Sequence, residues 1–216
     1  MKKRIKFYPN HDDGMHCSQA VFRSLFHYFF NEDLNWGDIE KITKTEKEKG
    51  SWTMAAEIEL AKRGIDVINI EPFDYARYYQ EGIDYLRGNF DEDTVNYYLN
   101  KSNLLNVNED IPTFLKLVKH ESRKGTIKDI DGFLDNGYLV GVEINSRILN
   151  KKSGLSLHYV LIVEKEKDSY IVNDPGLPPF ECRMVSKNEF IEALGKEGSN
   201  GEITAFRKKL HNASNC

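Results

Sequence analysis

The residues most able to do chemistry are concentrated at positions 10–22, which read NHDDGMHCSQAVF. The candidates in this stretch are His11, Asp12, Asp13, His16 and Cys17. A cysteine thiolate is a strong nucleophile and a metal ligand, and histidine serves as a general base or a metal ligand. Three interpretations fit: a metal site, a nucleophile whose partners lie elsewhere in the chain, or the polar start of a helix.

The metal interpretation is the less favoured one. Short zinc motifs usually have a second half in spacings such as C-x-x-C or H-x-x-x-H, and none is present in this sequence. Acids and histidines directly ahead of a helix more often cap it or lie in a solvated loop. We therefore expect no metal ion and no other cofactor, and we expect Asp12, Asp13 and His16 to be cap and loop residues.

The run CSQAVFRSLFHYFF after the loop predicts the helix that positions the cysteine. Its apolar residues recur at helical spacing, which indicates a buried amphipathic helix with Cys17 in the first turn. A helix N-terminus lowers the pKa of a thiol. Many buried cysteines are nevertheless inert, so a catalytic interpretation needs a second, distant histidine.

Position in the sequence separates the candidate histidines. His11 and His16 are close neighbours of Cys17, and His27 lies three turns along the same helix, too far to reach the thiol. His120 and His211 lie in charged segments that we expect to be exposed. His158 instead begins the apolar strand HYVLIV, where a polar residue must find a buried partner or face a cleft.

Residues 157–176, LHYVLIVEKEKDSYIVNDPG, predict a β-hairpin. With the turn centred on Glu166, antiparallel pairing sets His158 opposite Asp174, a carboxylate that would orient the imidazole and stabilise its charged form. The same register gives two further pairs, Val160 with Val172 and Ile162 with Tyr170. A slip of one residue sets Asn173 opposite His158 as an alternative orienting residue. The segment NDPG also fits a simple turn.

A helical first part followed by strands predicts an α+β fold. Residues 35–124 are mostly helical in pattern, with one short strand at IDVINI, and the last third is rich in strands, beginning at YLVGVEIN. Tyrosines in the middle of the chain fit a core with hydroxyls at the surface better than an aromatic substrate cleft. They are Tyr75, Tyr78, Tyr79, Tyr85, Tyr97 and Tyr98.

Composition limits the class of protein. The chain has 216 residues, 40% of them apolar and 30% charged, with a net charge of -4. This predicts a single globular domain over 1–216, with a helical elaboration at about 35–124, and argues against nucleic acid as a partner. The absence of a signal-like or membrane-spanning apolar run predicts a cytoplasmic protein that does not bind membranes. Cys17, Cys182 and Cys216 are too few for a disulfide framework.

These residues resemble a known family. A cysteine opening the first long helix, a histidine at a strand start and an Asp or Asn one strand later resemble the papain-like cysteine peptidases, in which roughly 130 to 150 residues separate cysteine from histidine. The lead-in YPN, the segment DNGYLVGVEI and the strands entering at HYV and leaving at DP are similar to the C39-like branch. The likeness covers both ends of the chain and weakens over residues 35–124.

The resemblance implies a papain-like α+β fold, with the nucleophile on the first long helix and a C-terminal antiparallel sheet that carries the histidine and aspartate. It implies Cys17 as nucleophile, His158 as general base and acid, and Asp174 as the orienting residue. Members usually have a glutamine about six residues before the cysteine as an oxyanion donor. Here His11 occupies that place with Asn10 before it, and either could donate instead.

Three functions are compatible with this reading. The first is a C39-like cysteine hydrolase that cleaves a peptide or amide bond through an acyl-thioester. The second is an acyltransferase that uses the same triad to pass the acyl group to an amine. The third is a non-catalytic papain-fold binding module. The expected partner is a peptide or a small amide or thioester substrate, while the oligomeric state has no sequence signature.

Overall fold

The computed structural model describes residues 4–195 and 201–209 as helices packed against a mixed sheet. The helices are α1 (Cys17–Phe30), α2 (Trp36–Thr43), α3 (Met54–Lys62), α4 (Tyr75–Glu81), α5 (Ile83–Asn89), α6 (Glu92–Asn100), α7 (Leu104–Val107), α8 (Ile111–Leu117), α9 (Ile127–Asp135), α10 (Ser146–Leu149) and α11 (Lys187–Gly195), with a 3-10 turn at Asn108–Asp110. The strands are β1 (Ile65–Glu71), β2 (Lys119–Ser122), β3 (Leu139–Asn145), β4 (Leu157–Lys165), β5 (Ser169–Asp174), β6 (Phe180–Ser186) and β7 (Ile203–Lys208).

Helix α1 forms where the apolar spacing predicts it. Its buried face includes Phe22, Leu25 and Phe26, which lie one turn apart as helical periodicity requires. The helix ends at Asn31, whose left-handed backbone, with φ of 60°, lets its N–H donate to the His27 carbonyl. Burial of this face fixes the helix against the sheet, so the position of Cys17 at its first residue is set by the core.

The sheet has the strand order β2-β1-β7-β3-β4-β5-β6 over the described residues. Strands β3 to β6 form an antiparallel meander, while β7 lies between β3 and β1 and pairs antiparallel with both. Among the paired strands of the sheet in the described residues, only β1 and β2 run parallel. The last strand therefore joins the helical first part of the chain to the C-terminal meander.

Strand β2 corrects one prediction. Residues 119–122 were expected to continue a helix, but they pair with β1, and His120 lies on this strand in place of an exposed helix. Contacts of the His120 ring favour the strand over a helix, since its nitrogens contact the Asn69 side-chain oxygen and the Phe73 carbonyl, each at 2.8 Å. These partners are remote in sequence, so local periodicity carried no sign of them.

The β4–β5 hairpin has a different register from the predicted one. Its turn is centred between Lys167 and Asp168, because the Glu166 N–H donates to the Ser169 carbonyl at 2.9 Å. A β-bulge at the residue before Glu164 shifts the pairing again. The pairs are Leu161 with Asn173, Ile162 with Val172, Glu164 with Ile171 and Lys165 with Tyr170.

The predicted cross-strand pairs are therefore wrong, both His158 with Asp174 and the alternative with Asn173. Asn173 pairs with Leu161, and continuing that register sets Asp174 opposite Val160. The error came from placing the turn too early in the charged segment, because a change in turn position alters every pair along both strands. The further pairs Val160 with Val172 and Ile162 with Tyr170 fail for the same reason.

Both faces of the central strands are buried. Leu139 and Tyr159 belong to a core shared with α1, while Val140, Val142 and Val160 belong to a second core under α11. Successive residues of a strand point to opposite faces, so β3 and β4 supply both cores. Burial on two faces explains why these strands read as continuous apolar runs.

The tyrosine-rich middle packs largely as predicted, as an aromatic core around Phe73. Tyr75, Tyr78, Tyr85 and Tyr98 are buried, whereas Tyr79 and Tyr97 are exposed. Tyr75 departs from the expectation of surface hydroxyls, because its hydroxyl donates to the buried Glu71 carboxylate. Trp52 also packs its ring against Phe73.

Candidate active site

His158 and Asp174 are in direct contact at the centre of the candidate site. The His158 Nε2 and Asp174 Oδ1 atoms are 2.7 Å apart, and both side chains are buried. The two residues are diagonal neighbours across the β4–β5 ladder, not directly opposed, and diagonal neighbours share one face of a sheet. The pair therefore forms in a register that the sequence did not predict.

Asp174 is held on both of its oxygens. Besides His158, Oδ1 accepts the Gly176 N–H at 3.0 Å, and Oδ2 accepts from Arg183 Nη1 at 2.9 Å. Burial by itself raises the pKa of the Asp174 carboxyl, but the interactions with His158, the Gly176 N–H and Arg183 outweigh it and hold this pKa below its ordinary value. Asp174 is thus an ionised, fixed acceptor for the imidazole.

Arg183 on β6 was not recognised in the sequence. Its guanidinium donates to Asn150 Oδ1 at 3.0 Å and to the Leu149 carbonyl, in addition to Asp174. The segment FECRMVS offers one signal, since its arginine stands in a strand whose neighbours are mostly exposed. A cation in that strand is free to turn toward an anion on the next strand, but the partner is visible only once the strands are paired.

Cys17 lies at the first residue of α1, beside His158. Its Sγ accepts the Tyr159 N–H at 3.4 Å, which fixes the sulfur next to the start of β4. Burial raises the pKa of the Cys17 thiol, but the hydrogen bond and charge of His158 and the N–H groups of Tyr159 and Ser18 outweigh it, so the pKa is lowered from its ordinary value.

The His158 ring completes this arrangement. Burial lowers its pKa, but the hydrogen bonds to Asp174 and Cys17 and the charges of both groups raise the pKa of His158 to about 10. Because Asp174 occupies Nε2, Nδ1 is the nitrogen left for the thiol. The lowered pKa of the Cys17 thiol and the raised pKa of the His158 imidazole together favour a thiolate and an imidazolium side by side at neutral pH.

Asn173, the alternative orienting residue, does not contact His158. Its side-chain oxygen accepts the Cys182 N–H at 3.0 Å, toward β6. Adjacent strand residues point to opposite faces, so Asn173 and Asp174 cannot both face the imidazole. Of the two candidates, the structure brings Asp174 to His158.

The two oxyanion candidates have different environments. Asn10 is buried: its side-chain oxygen accepts the His16 N–H at 2.9 Å, its amide donates to the Gly14 carbonyl at 3.2 Å, and its own N–H donates to the Pro175 carbonyl at 2.8 Å. His11 is exposed. Asn10 thus ties the loop ahead of Cys17 to the segment after Asp174, while an oxyanion role for either residue stays a prediction.

The loop acids and histidine have more contacts than capping requires. The Asp13 side chain accepts the Met15 N–H at 2.9 Å, as a loop residue is expected to do, and Asp12 is exposed. His16 precedes α1, but its side chain makes no capping hydrogen bond. Its ring instead lies between two carboxylates, those of Asp13 and Glu40.

The other cysteines and histidines contribute nothing to this site among the described residues. Cys182 is an exposed free thiol on β6, and His120 is partly buried with its ring engaged at β1. Burial lowers the pKa of His120. The predictions for His211 and Cys216 fall outside the described residues. Across residues 4–195 and 201–209, no helix has both the length and the apolar character needed to span a bilayer.

Comparison with known proteins supports the fold. No protein-family model matches the chain, and no curated protein matches it significantly. The structure resembles the peptidase domain of Streptococcus ComA, a bi-functional ABC transporter involved in a quorum sensing pathway, with a TM-score of 0.51 at 15% identity over 95% of this chain and 100% of that chain. A double glycine motif protease from an AMS/PCAT transporter, solved with its leader peptide, aligns with a TM-score of 0.47 at 10% identity over 96% of each chain. The likeness to the ComA peptidase domain confirms the predicted α+β, papain-like fold of C39 type.

Proposed function

We propose that the protein is a cysteine hydrolase that cleaves a peptide or amide bond through Cys17, His158 and Asp174. The observation that carries this proposal is the contact of 2.7 Å between His158 Nε2 and Asp174 Oδ1, with the Cys17 sulfur beside the same strand. A nucleophile, a base and a group that orients the base are the parts that acyl transfer needs.

The first half-reaction uses the ion pair. The Cys17 thiolate attacks the substrate carbonyl carbon, and the carbonyl π electrons move to oxygen, which becomes an oxyanion. The Cys17 N–H at the N-terminus of α1 can donate to that oxyanion, and Asn10 or His11 is the candidate for a second donor. The His158 imidazolium then gives its proton to the leaving nitrogen, the C–N bond breaks, and an acyl-thioester remains on Cys17.

The second half-reaction returns the enzyme to its starting state. Neutral His158 takes a proton from water as the water oxygen attacks the thioester carbon. The C–S bond then breaks, the acid product leaves, and the thiolate and imidazolium are restored. Asp174 stays ionised throughout, because Gly176 and Arg183 donate to it independently of the histidine.

Acylation by a small activated ester tests this proposal without knowledge of the natural substrate. The protein is mixed with p-nitrophenyl acetate, and nitrophenol release is followed together with intact mass and peptide mapping. We expect a rapid burst, one acetyl group on Cys17, and loss of that group in water over further turnovers. Cys17→Ala should abolish the burst, whereas Cys182→Ala should leave it unchanged.

Two results would contradict the proposal. Acetylation of Cys182 as fast as that of Cys17 would mean that the Cys17 thiol is not activated. An adduct on Cys17 that resists water but passes to added amines would show a transferase instead of a hydrolase.

A further inference from the structure

The loop ahead of Cys17 carries a second group of functional side chains, and we propose that it binds a zinc ion. His11, Asp13 and His16 each offer one ligand atom, and these atoms all lie within 4.8 Å of one another. They stand in the pattern H-x-D-x-x-H, and imidazole and carboxylate are ordinary zinc ligands. The sequence favoured cap and loop roles for Asp13 and His16 and made His11 an oxyanion candidate, so this inference departs from those expectations.

The distances within the group fit a shared cation. The two oxygens of Asp13 face different histidines: Oδ2 lies 3.4 Å from His11 Nδ1, and Oδ1 lies 3.0 Å from His16 Nδ1. In a tetrahedral zinc site with bonds of about 2.1 Å, neighbouring ligand atoms are about 3.4 Å apart. Both distances are close to this value, and one ligand atom from each of the three side chains lies within 4.8 Å of the others, so small side-chain shifts would bring all three onto one ion.

Backbone geometry explains why a short loop can assemble three ligands. Gly14 has a positive φ of 74°, and its N–H donates to the His11 carbonyl at 2.9 Å, which closes a tight turn. The turn brings the side chain of His11 back over Asp13, while Asn10 fixes the far end by accepting the His16 N–H. Three of the four coordination positions of zinc would come from the protein, and the fourth would remain open to water.

A residue from another element supports the same assignment. Glu40 on α2 lies 3.1 Å from Nε2 of His16, the nitrogen that faces away from the ligand group. Histidines that bind a metal through one nitrogen usually donate the other N–H to a carboxylate, which fixes the tautomer and strengthens the ligand. Glu40 is placed to accept the Nε2–H of His16. Because Glu40 lies on α2 and not in the loop, the turn geometry of the loop does not explain this contact.

The surroundings of the two histidine rings are ordered and apolar on one side. The Trp36 indole packs edge-on against both rings, at 5.4 Å from His11 and 5.5 Å from His16 between ring centroids. The Cys17 sulfur is not in the group, since it is fixed at the Tyr159 N–H. The proposed zinc site is therefore separate from the catalytic thiol, although its last ligand adjoins Cys17 in the chain.

Zinc and cobalt titrations test the proposal on the full chain, free of any affinity tag. Cys182 and Cys216 are changed to serine so that Cys17 is the only thiol. After treatment with a chelator, zinc binding is measured by competition with a chromogenic chelator, and Co²⁺ is added separately to record its visible spectrum. We expect one tight zinc site and cobalt d–d bands without a sulfur-to-cobalt charge-transfer band.

Matched variants separate this site from incidental binding. Asp13→Asn and His11→Ala should lose saturable binding, while Asp12→Asn, which alters the neighbouring exposed acid, should bind as the parent does. Glu40→Gln should weaken zinc binding by about 10- to 100-fold. Circular dichroism of each variant establishes that it is folded.

Three results would overturn the proposal. The first is a parent protein that binds no zinc in the competition assay. The second is a folded Asp13→Asn variant that binds zinc as tightly as the parent. The third is a sulfur-to-cobalt band, which would assign the ion to Cys17 in place of the proposed ligands. None of these readouts depends on hydrolase activity, so the zinc site and the proposed function can fail separately.

Discussion

Two opposing effects set the reactivity of the Cys17 thiol. Burial disfavours the thiolate, whereas the hydrogen bond and charge of His158, with two backbone N–H groups, favour it and lower the pKa overall. The histidine is in turn held as a cation by Asp174. The predicted nucleophile therefore depends on a partner far away in sequence, and removing that partner leaves burial opposed by the two backbone N–H groups alone.

This balance predicts the pH dependence of alkylation. Iodoacetamide should react with Cys17 well below about pH 8.5, the ordinary thiol pKa, and faster there than with Cys182. His158→Ala should slow the reaction of Cys17 at neutral pH by about tenfold or more, because each unit by which the thiol pKa rises reduces the thiolate tenfold. Peptide mapping over a pH series measures both rates. Equal rates in His158→Ala and the parent would refute the thiolate–imidazolium pair.

Arg183 should act through Asp174. Replacing it by methionine removes the cation that donates to Asp174 Oδ2, so the carboxylate loses both a positional restraint and a favourable charge. We expect Arg183→Met to weaken the thiolate–imidazolium pair by roughly 1 kcal/mol. Alkylation of Cys17 at neutral pH should therefore slow several-fold. Arg183→Lys should retain part of the rate. Arg77→Met removes an exposed arginine paired with Glu81 and should have no effect.

The β4–β5 hairpin and the turn after β5 position the imidazole and its carboxylate. The turn approaches so closely that a Cβ on Gly176 would lie 3.0 Å from Asp174 Oδ1 and 3.4 Å from His158 Nε2. A glycine at this position leaves room for the His–Asp contact, and its N–H donates to the same oxygen. Backbone spacing in this turn therefore contributes to the site as directly as a side chain does.

Gly176→Ala is expected to damage the site more than the fold. The added methyl group must displace the Asp174 carboxylate or the turn, so alkylation of Cys17 at neutral pH should slow while the melting temperature changes little. Gly132→Ala is the control, because a Cβ at that position of α9 meets nothing within 4 Å and alanine favours a helix. Parent-like alkylation by Gly176→Ala would show that the contact tolerates this crowding.

Across the molecule as a whole, the most unusual feature is a set of buried carboxyls between the helices and the sheet. Glu57 on α3, Glu71 on β1 and Glu202 beside β7 are all buried. Burial raises the pKa of Glu57 to about 7 and the pKa of Glu71 to about 8, and it also raises that of Glu202. Hydrogen bonds from Thr53 and Thr204 to Glu57 offset this only in part.

These carboxyls predict a loss of stability with rising pH. Near pH 5 the folded protein holds protons on Glu57 and Glu71 that the unfolded chain, with carboxyl pKa values near 4.3, has mostly released. The contribution of these carboxyls to stability should therefore be fully present below the unfolded pKa and be lost as pH rises through the folded values, by about 3 kcal/mol for Glu57 alone. Urea unfolding at pH 5, 6.5 and 8 measures the slope.

Glu57→Gln isolates one of these groups. The amide resembles the protonated acid and cannot ionise, so the variant should lose less stability than the parent between pH 5 and 8. Glu59→Gln, on the same helix at a partly exposed position, should keep the slope of the parent. The Cys17–His158 pair contributes with the opposite sign below about pH 6.5, because the unfolded chain binds a proton on each of the two groups there, whereas the folded pair holds one. Glu57→Gln retains this contribution, so the difference between the variant and the parent reports Glu57 alone. A Glu57→Gln variant whose stability changes with pH as the parent's does would contradict the assignment.

Much of the arrangement was predictable because it depends on local pattern. Periodic apolar residues marked α1, β1, β3, β4 and β5 and so predicted an α+β fold, and the order of Cys17, His158 and Asp174 along these elements resembled that of the papain-like family. A helix start, an apolar strand and a turn have signatures within a few residues of themselves. The sequence therefore determined the fold class and pointed to the three residues proposed for the chemistry.

Contacts between distant segments could not be predicted from local sequence pattern. The hairpin register depends on a bulge and a turn that the charged segment KEKDS leaves open, so the histidine and aspartate met diagonally instead of face to face. Arg183, Glu40 and the buried glutamates look like ordinary surface charges in the sequence. Their effects come from desolvation and from partners on other strands and helices, both of which exist only once the chain is packed.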